Sequence, residues 1–132
     1  MTRSELRENI FNMLFQVEFN PEEERLEQMD FYVDGLGEIR EQDKTYMKEK
    51  YQKIVGHLSE IDALLNEETD GWKTGRMNKV DLTILRLALY EIKWDEEVPT
   101  GVAINEAVEL AKKYSGDDGP AFINGVLAKF AS

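Results

Sequence analysis

The chain carries one histidine, no cysteine and 27 carboxylates, and these are the groups to test first for chemistry. His57 has no thiol to pair with. Its helical neighbours at three and four residues are Glu60 and Ile61, so it reads as an ordinary helix-surface residue. Gly116 and Gly119 fall far short of a phosphate-cradling loop. The acidic side chains lie mostly on polar helix faces or in runs such as Glu22-Glu23-Glu24, which are solvated. No His/Asp/Glu group has the spacing of a metal site. The expectation is no catalytic residue, no metal, no cofactor and no enzyme.

Binding chemistry is better represented. At about 100° per residue, the first apolar stripe centres on Leu6, Ile10, Met13, Leu14 and Val17. Arg3, Arg7, Phe11 and Phe15, each four apart, form a second stripe that turns away from it, with Phe15 nearly opposite. Arginine meets phosphate, and an aromatic ring stacks on a base or fills a partner's pocket. The alternative is a second helical lobe that buries both rings. Asp118 has two readings as well: a helix cap that satisfies backbone N–H groups, or an acceptor for a base amino group. Asn124-Gly125 inside a helix is unusual, since glycine there costs about 1 kcal/mol relative to alanine, and close helix packing is the plain explanation.

Charge limits what such a surface can do alone. With 16 basic residues against those carboxylates, the net charge is −11, which repels nucleic acid at long range. RNA binding must then rest on a local patch, a basic partner, or both. Screening over about 8 Å at physiological salt allows a local patch to act. At 132 residues with 42% hydrophobic content, the chain suits one domain, 1–132, with a real core. No apolar run approaches the roughly 18 residues of a membrane span, and the charged start Met1 to Arg7 is unlike a secretory signal. The lack of cysteine fits a reducing compartment, and the cytoplasm is expected.

The elements that must position these groups are all helical by their apolar spacing. Thr2 and Glu5 predict a capping box opening a helix to about Phe19. Asn20-Pro21 restarts a short second helix, with Pro21 at its first position, ending near Gly35 and Gly37. A long third helix is predicted over Asp43 to Leu65, seamed by Met47, Tyr51, Ile54, Leu58, Ile61 and Leu65. Asn66 to Gly71 breaks it, and a short turn over Trp72 to Met77 follows. Asn78 should cap the next helix, Val80 to Trp94, which is apolar nearly all round and so the buried centre of a bundle. Asp81 sits in its first turn, where a carboxylate is favourable, and as a surface residue its reversal to lysine is expected to leave stability nearly unchanged. Thr100 caps a helix with Ile104, Ala107, Val108 and Ala111. After the loop Ser115 to Pro120, with Asp117 or Asp118 as cap, the last helix holds Phe122, Ile123, Val126, Leu127 and Phe130.

Three segments in the second half resemble the NusB family: Val80-Asp81-Leu82-Thr83-Ile84-Leu85-Arg86-Leu87-Ala88-Leu89-Tyr90-Glu91, then Val98-Pro99 with Ala103-Ile104-Asn105-Glu106-Ala107-Val108-Glu109-Leu110-Ala111-Lys112, then Phe122-Ile123-Asn124-Gly125-Val126-Leu127. Arg7-Glu8 fits more loosely. The resemblance implies an all-α fold of about seven helices in two small bundles forming one domain. It implies a heterodimer with NusE, a small-subunit ribosomal protein expected to be basic. The pair would bind boxA RNA within the RNA polymerase antitermination complex, notably on ribosomal RNA operons. By position, Arg3, Arg7, Asp118 and Phe122 would face RNA, and Phe15 and Asp81 would meet NusE on one surface. The same domain fronts RNA cytosine methyltransferases, and no methyltransferase is expected here because the chain ends with the domain. Only Arg3 and Arg7 stand where strong RNA binders carry an arginine-rich run. Gly119, Pro120 and Ala121 replace the family's frequent serine, histidine and basic residue. Weak RNA affinity without the partner is therefore expected. A helical protein–protein adaptor with little RNA affinity is the alternative, and a homodimer of the free chain stays open.

Overall fold

The computed structural model describes residues 1–69 and 73–131, and every regular element among them is helical. The α-helices are α1 (Arg3–Phe15), α2 (Arg25–Asp34), α3 (Glu41–Gly56), α4 (Leu58–Glu68), α5 (Lys79–Trp94), α6 (Thr100–Tyr114) and α7 (Gly119–Ala128), joined in places by short 3₁₀ turns. The chain divides into two compact units, Met1–Gly56 and His57–Ser132.

In the first unit α1 and α2 both pack on α3. The predicted capping box is present: the Glu5 N–H donates to Thr2 Oγ1 at 3.0 Å, and the Thr2 N–H donates to Glu5 Oε1 at 2.7 Å. The Thr2 backbone amide, and then its hydroxyl, hold the Glu5 carboxyl below its ordinary value of 4.5. A carboxylate stabilised in the folded state adds stability above its unfolded pKa and loses it as pH falls through the lowered folded value. Thr2→Ala removes the cap hydroxyl and should cost about 1 kcal/mol in a thermal melt at neutral pH, whereas the Glu5 contribution, carried first by the Thr2 amide that alanine keeps, should fade with acid in wild type and variant alike.

Helix α1 ends at Phe15, four residues earlier than expected, and a 3₁₀ turn over Gln16–Glu18 follows. Pro21 stands at an N-cap position, before the turn Glu22–Glu24, and not inside a helix. Leu6, Ile10, Met13, Leu14 and Val17 are buried as predicted, with Met29 and Val33 of α2 and Met47, Tyr51 and Ile54 of α3. Tyr32 links α2 to α1, its hydroxyl donating to Asn9 Oδ1 at 2.7 Å and accepting from Asn12 Nδ2 at 3.2 Å. Gly37 closes the turn after α2 at φ +86°, a conformation only glycine adopts freely.

The long third helix is a correction. It stops at Gly56 and restarts at Leu58, with His57 between them at φ −107°, ψ 7°. Glycine weakens a helix locally, and His57 has something to gain by leaving it. Its ring stacks on Trp94 at 4.3 Å, and its Nδ1 lies 3.1 Å from Glu60 Oε1. It is thus a junction residue. Helix α4 runs through Glu68, past the predicted break. Of the turn expected over Trp72 to Met77, Thr74–Arg76 is a 3₁₀ turn; Gly71 and Trp72 lie outside the described residues.

The second unit is organised around α5, against which α4, α6 and α7 pack. Every residue from Asp81 to Glu91 is buried. Polar members of that run have partners, as buried polar groups require. Arg86 donates two hydrogen bonds to Asp62 of α4, at 2.9 and 2.7 Å, and the Thr83 hydroxyl donates to the Lys79 carbonyl at 2.7 Å. Pro99, in an extended conformation, takes the N-cap position expected for Thr100, which becomes the first residue of α6. At Gly125 no heavy atom lies within 4 Å of where a Cβ would stand, so helix packing does not explain that glycine. The close approach falls instead at Gly119.

Candidate functional site

The ends of three helices converge in the second unit. Asn78 caps α5, its Oδ1 accepting from the Asp81 N–H at 2.8 Å while its Nδ2 donates to Asp81 Oδ2 at 2.9 Å. Ser115, which closes α6, donates its hydroxyl to Asp81 Oδ1 at 2.5 Å. Gly119 opens α7 against the same serine: a Cβ there would stand 2.0 Å from Ser115 Oγ and 3.6 Å from Asp81 Oδ1. Each hydrogen bond to an ionised carboxylate is stronger than a neutral one, so Asp81 holds this junction firmly.

Over the junction lies a cleft of about 370 Å³, lined by Met77, Asn78, Asp81, the Ser115–Gly119 loop and Phe122. Asp117 and Asp118 are exposed and Phe122 is half-buried. Asp118 stands at the N-cap position of α7, yet its backbone is helical and its side chain makes no capping hydrogen bond. The carboxylate is left to accept from a ligand at the mouth. An amino group can be received there and a planar ring can lie on Phe122, whereas phosphate would meet two carboxylates. Three of the residues singled out in the sequence, Asp81, Asp118 and Phe122, thus share one cleft. Asp81 is nevertheless 7% exposed, which corrects the expectation of an open first-turn carboxylate. Its reach to Ser115, 34 residues away, could not be read from helical spacing.

The other three belong to the first unit. Arg3 is exposed, with its guanidinium 5.1 Å from the centre of the Tyr46 ring. Arg7 and Phe11 are buried at 6% and 3%, so the expected outward stripe is corrected at both. The buried arc of α1 runs from Met13 through Leu6, Ile10, Leu14 and Arg7 to Phe11, roughly 160° at 3.6 residues per turn, wide enough to take in half the stripe. Phe15 is half-exposed and sits between Phe11, at 6.5 Å, and Phe19, at 5.2 Å between ring centres. Phe19 is 62% exposed and continues Phe15 outward. Its spacing of four from Phe15 is the sequence signal that pairs the two rings. The sequence reading missed Tyr46 and Ser115, because their roles depend on partners far along the chain.

Comparison with known proteins gives a consistent result. The NusB family matches residues 4–132. The transcription antitermination protein NusB of Agathobacter rectalis is 56% identical over 131 residues, covering 99% of this chain and 100% of that protein. T. maritima NusB superposes with a TM-score of 0.90 at 31% identity, over 99% of this chain and 91% of that one. A chain in the crystal structure of antitermination factors NusB and NusE in complex with dsRNA has the same fold, with a TM-score of 0.85 at 24% identity over 99% and 98%.

Proposed function

The chain belongs to the NusB family of transcription antitermination factors, and from that premise we propose that it pairs with a NusE-type ribosomal protein and with it binds boxA-type RNA, so that RNA polymerase reads through terminators, notably in ribosomal RNA operons. The observation that carries this reading is 56% identity along the whole chain to a transcription antitermination protein. The solved complex of NusB, NusE and dsRNA supports the choice of partners. Both units, 1–132, act together as one RNA- and protein-binding domain in the cytoplasm, with no catalytic role. No helix among the described residues is long and apolar enough to cross a membrane.

Within this reading Asp118 and Phe122 face RNA at the cleft mouth, and Arg3 meets phosphate. Arg7, buried as it is, steadies α1, the helix that carries Arg3. Phe15 meets the protein partner with Phe19 beside it. Asp81 acts beneath the cleft, positioning the loop that carries Asp118. One exposed arginine in α1 and a net charge of −11 favour one further reading, a protein-only adaptor.

Filter binding of a boxA RNA across several salt concentrations, with and without purified NusE, decides between them. Each phosphate contact contributes about −0.7 to the slope of log K against log salt on single strands, so the free chain should bind weakly and with a shallow slope. The complex should bind more tightly and with a steeper slope. Asp118→Asn, which removes a charge at the mouth and breaks no cap, should strengthen binding without lowering the melting temperature. Failure to bind RNA even with NusE bound would leave the adaptor as the correct account.

A further inference from the structure

Helix α2 buries only Met29 and Val33. Its other side presents Leu26, Glu27, Asp30, Phe31 and Asp34, all exposed. Phe31 is 78% exposed and Leu26 is 59% exposed. At 3.6 residues per turn these two side chains stand about 140° apart, and Asp30, Asp34 and Glu27 fall between them. The outer face is therefore an acidic ridge with an apolar shoulder on either side. Single exposed apolar residues need no explanation, but two of them bracketing three carboxylates on a ten-residue helix form a patterned surface.

The charge of the ridge is felt by its neighbours. Lys48 of α3 lies 2.9 Å from Asp30, and its ammonium is held in the charged form first by that contact and further by the fields of Asp34 and Glu41. Since Asp30 is engaged with Lys48, Glu27 and Asp34 give the ridge its charge toward solvent. RNA is repelled by such a face. A second copy of this chain would bring −11 against −11. Charge complementarity selects a basic protein, and burial of Phe31 would supply the anchor that a charged rim alone lacks.

We propose that the outer face of α2 is a docking surface for the basic protein partner, a NusE-type chain that covers Phe31 with an apolar contact and sets lysine or arginine side chains against Glu27 and Asp34. The inference rests on the reading that such a partner is bound, and it adds to Phe15 a second contact region on a different helix.

The test is calorimetric titration of purified NusE into wild-type protein, Phe31→Ala, the double variant Glu27→Gln/Asp34→Asn, and Phe15→Ala, each at low and moderate salt. Phe31→Ala should weaken binding about tenfold, as loss of an anchor residue does. The double variant should lose affinity chiefly at low salt, flattening the salt dependence. Both should melt with the wild type, because the side chains changed are exposed. Unchanged affinity in both variants, with Phe15→Ala weakened, overturns the α2 surface and leaves the partner reading intact. No heat of binding with the wild type overturns both. A change in self-association on Phe31→Ala, measured by sedimentation with NusE affinity unchanged, would assign the face to a second copy and overturn the proposal.

Discussion

Leu85→Ala should lower the free energy of unfolding by about 2–5 kcal/mol, read as a lower denaturation midpoint at unchanged slope. Leu85 has no exposed surface and lies midway along α5, whose Ile84 and Leu87 are buried as well. Removing three carbons there sacrifices transfer free energy, and a cavity remains because helices packed around α5 close in only partly. A loss under about half a kcal/mol would mean that α5 is not the centre of its unit. The same change on an exposed position such as Leu26 should fall within roughly half a kcal/mol and serves as the control.

Asp81→Lys is the second large effect, and its direction follows from the structure alone. As an open first-turn carboxylate, Asp81 could have been reversed in charge at no expense to stability. As observed, it accepts hydrogen bonds from Asn78 and Ser115 while buried. A lysine leaves the Ser115 hydroxyl and the Asn78 amide without their acceptor, and places a cation at the positive end of α5. The expected loss is roughly 2–4 kcal/mol in thermal or denaturant unfolding. Weaker NusE binding by this variant would then report a disturbed junction, and Asp81→Asn, which keeps one acceptor oxygen, should recover most of the stability. A melting temperature equal to that of the wild type would place the carboxylate back at the surface.

The sequence by itself determined the helical class, the buried centre and most helix starts, because these depend on local rules. Apolar residues recurring at three and four positions commit a segment to a helix, and an all-round apolar run such as Val80 to Trp94 has nowhere to go but inside. Thr2 with Glu5 and Asn78 with Asp81 cap within one turn, so both were legible. The family segments from Val80 to Leu127 pointed to the same end. What tertiary structure alone decided was which side of each residue met something else. Arg7 and Phe11 lie within a helical stripe whose outer edge no spacing reveals; the width of the buried arc of α1 depends on what packs around it. The break at His57 interrupts a seam that reads as continuous from Met47 to Leu65, since the stacking on Trp94 that favours it comes from a residue 37 positions on. The cleft belongs to the same class. Asp81, Ser115, Asp118 and Phe122 are brought together by the meeting of three helix ends; the glycine that permits this is Gly119 at the start of α7, whereas nothing approaches the mid-helix Gly125 that local spacing singles out. Periodicity records how a chain coils, and contacts across tens of residues record which of its faces meet.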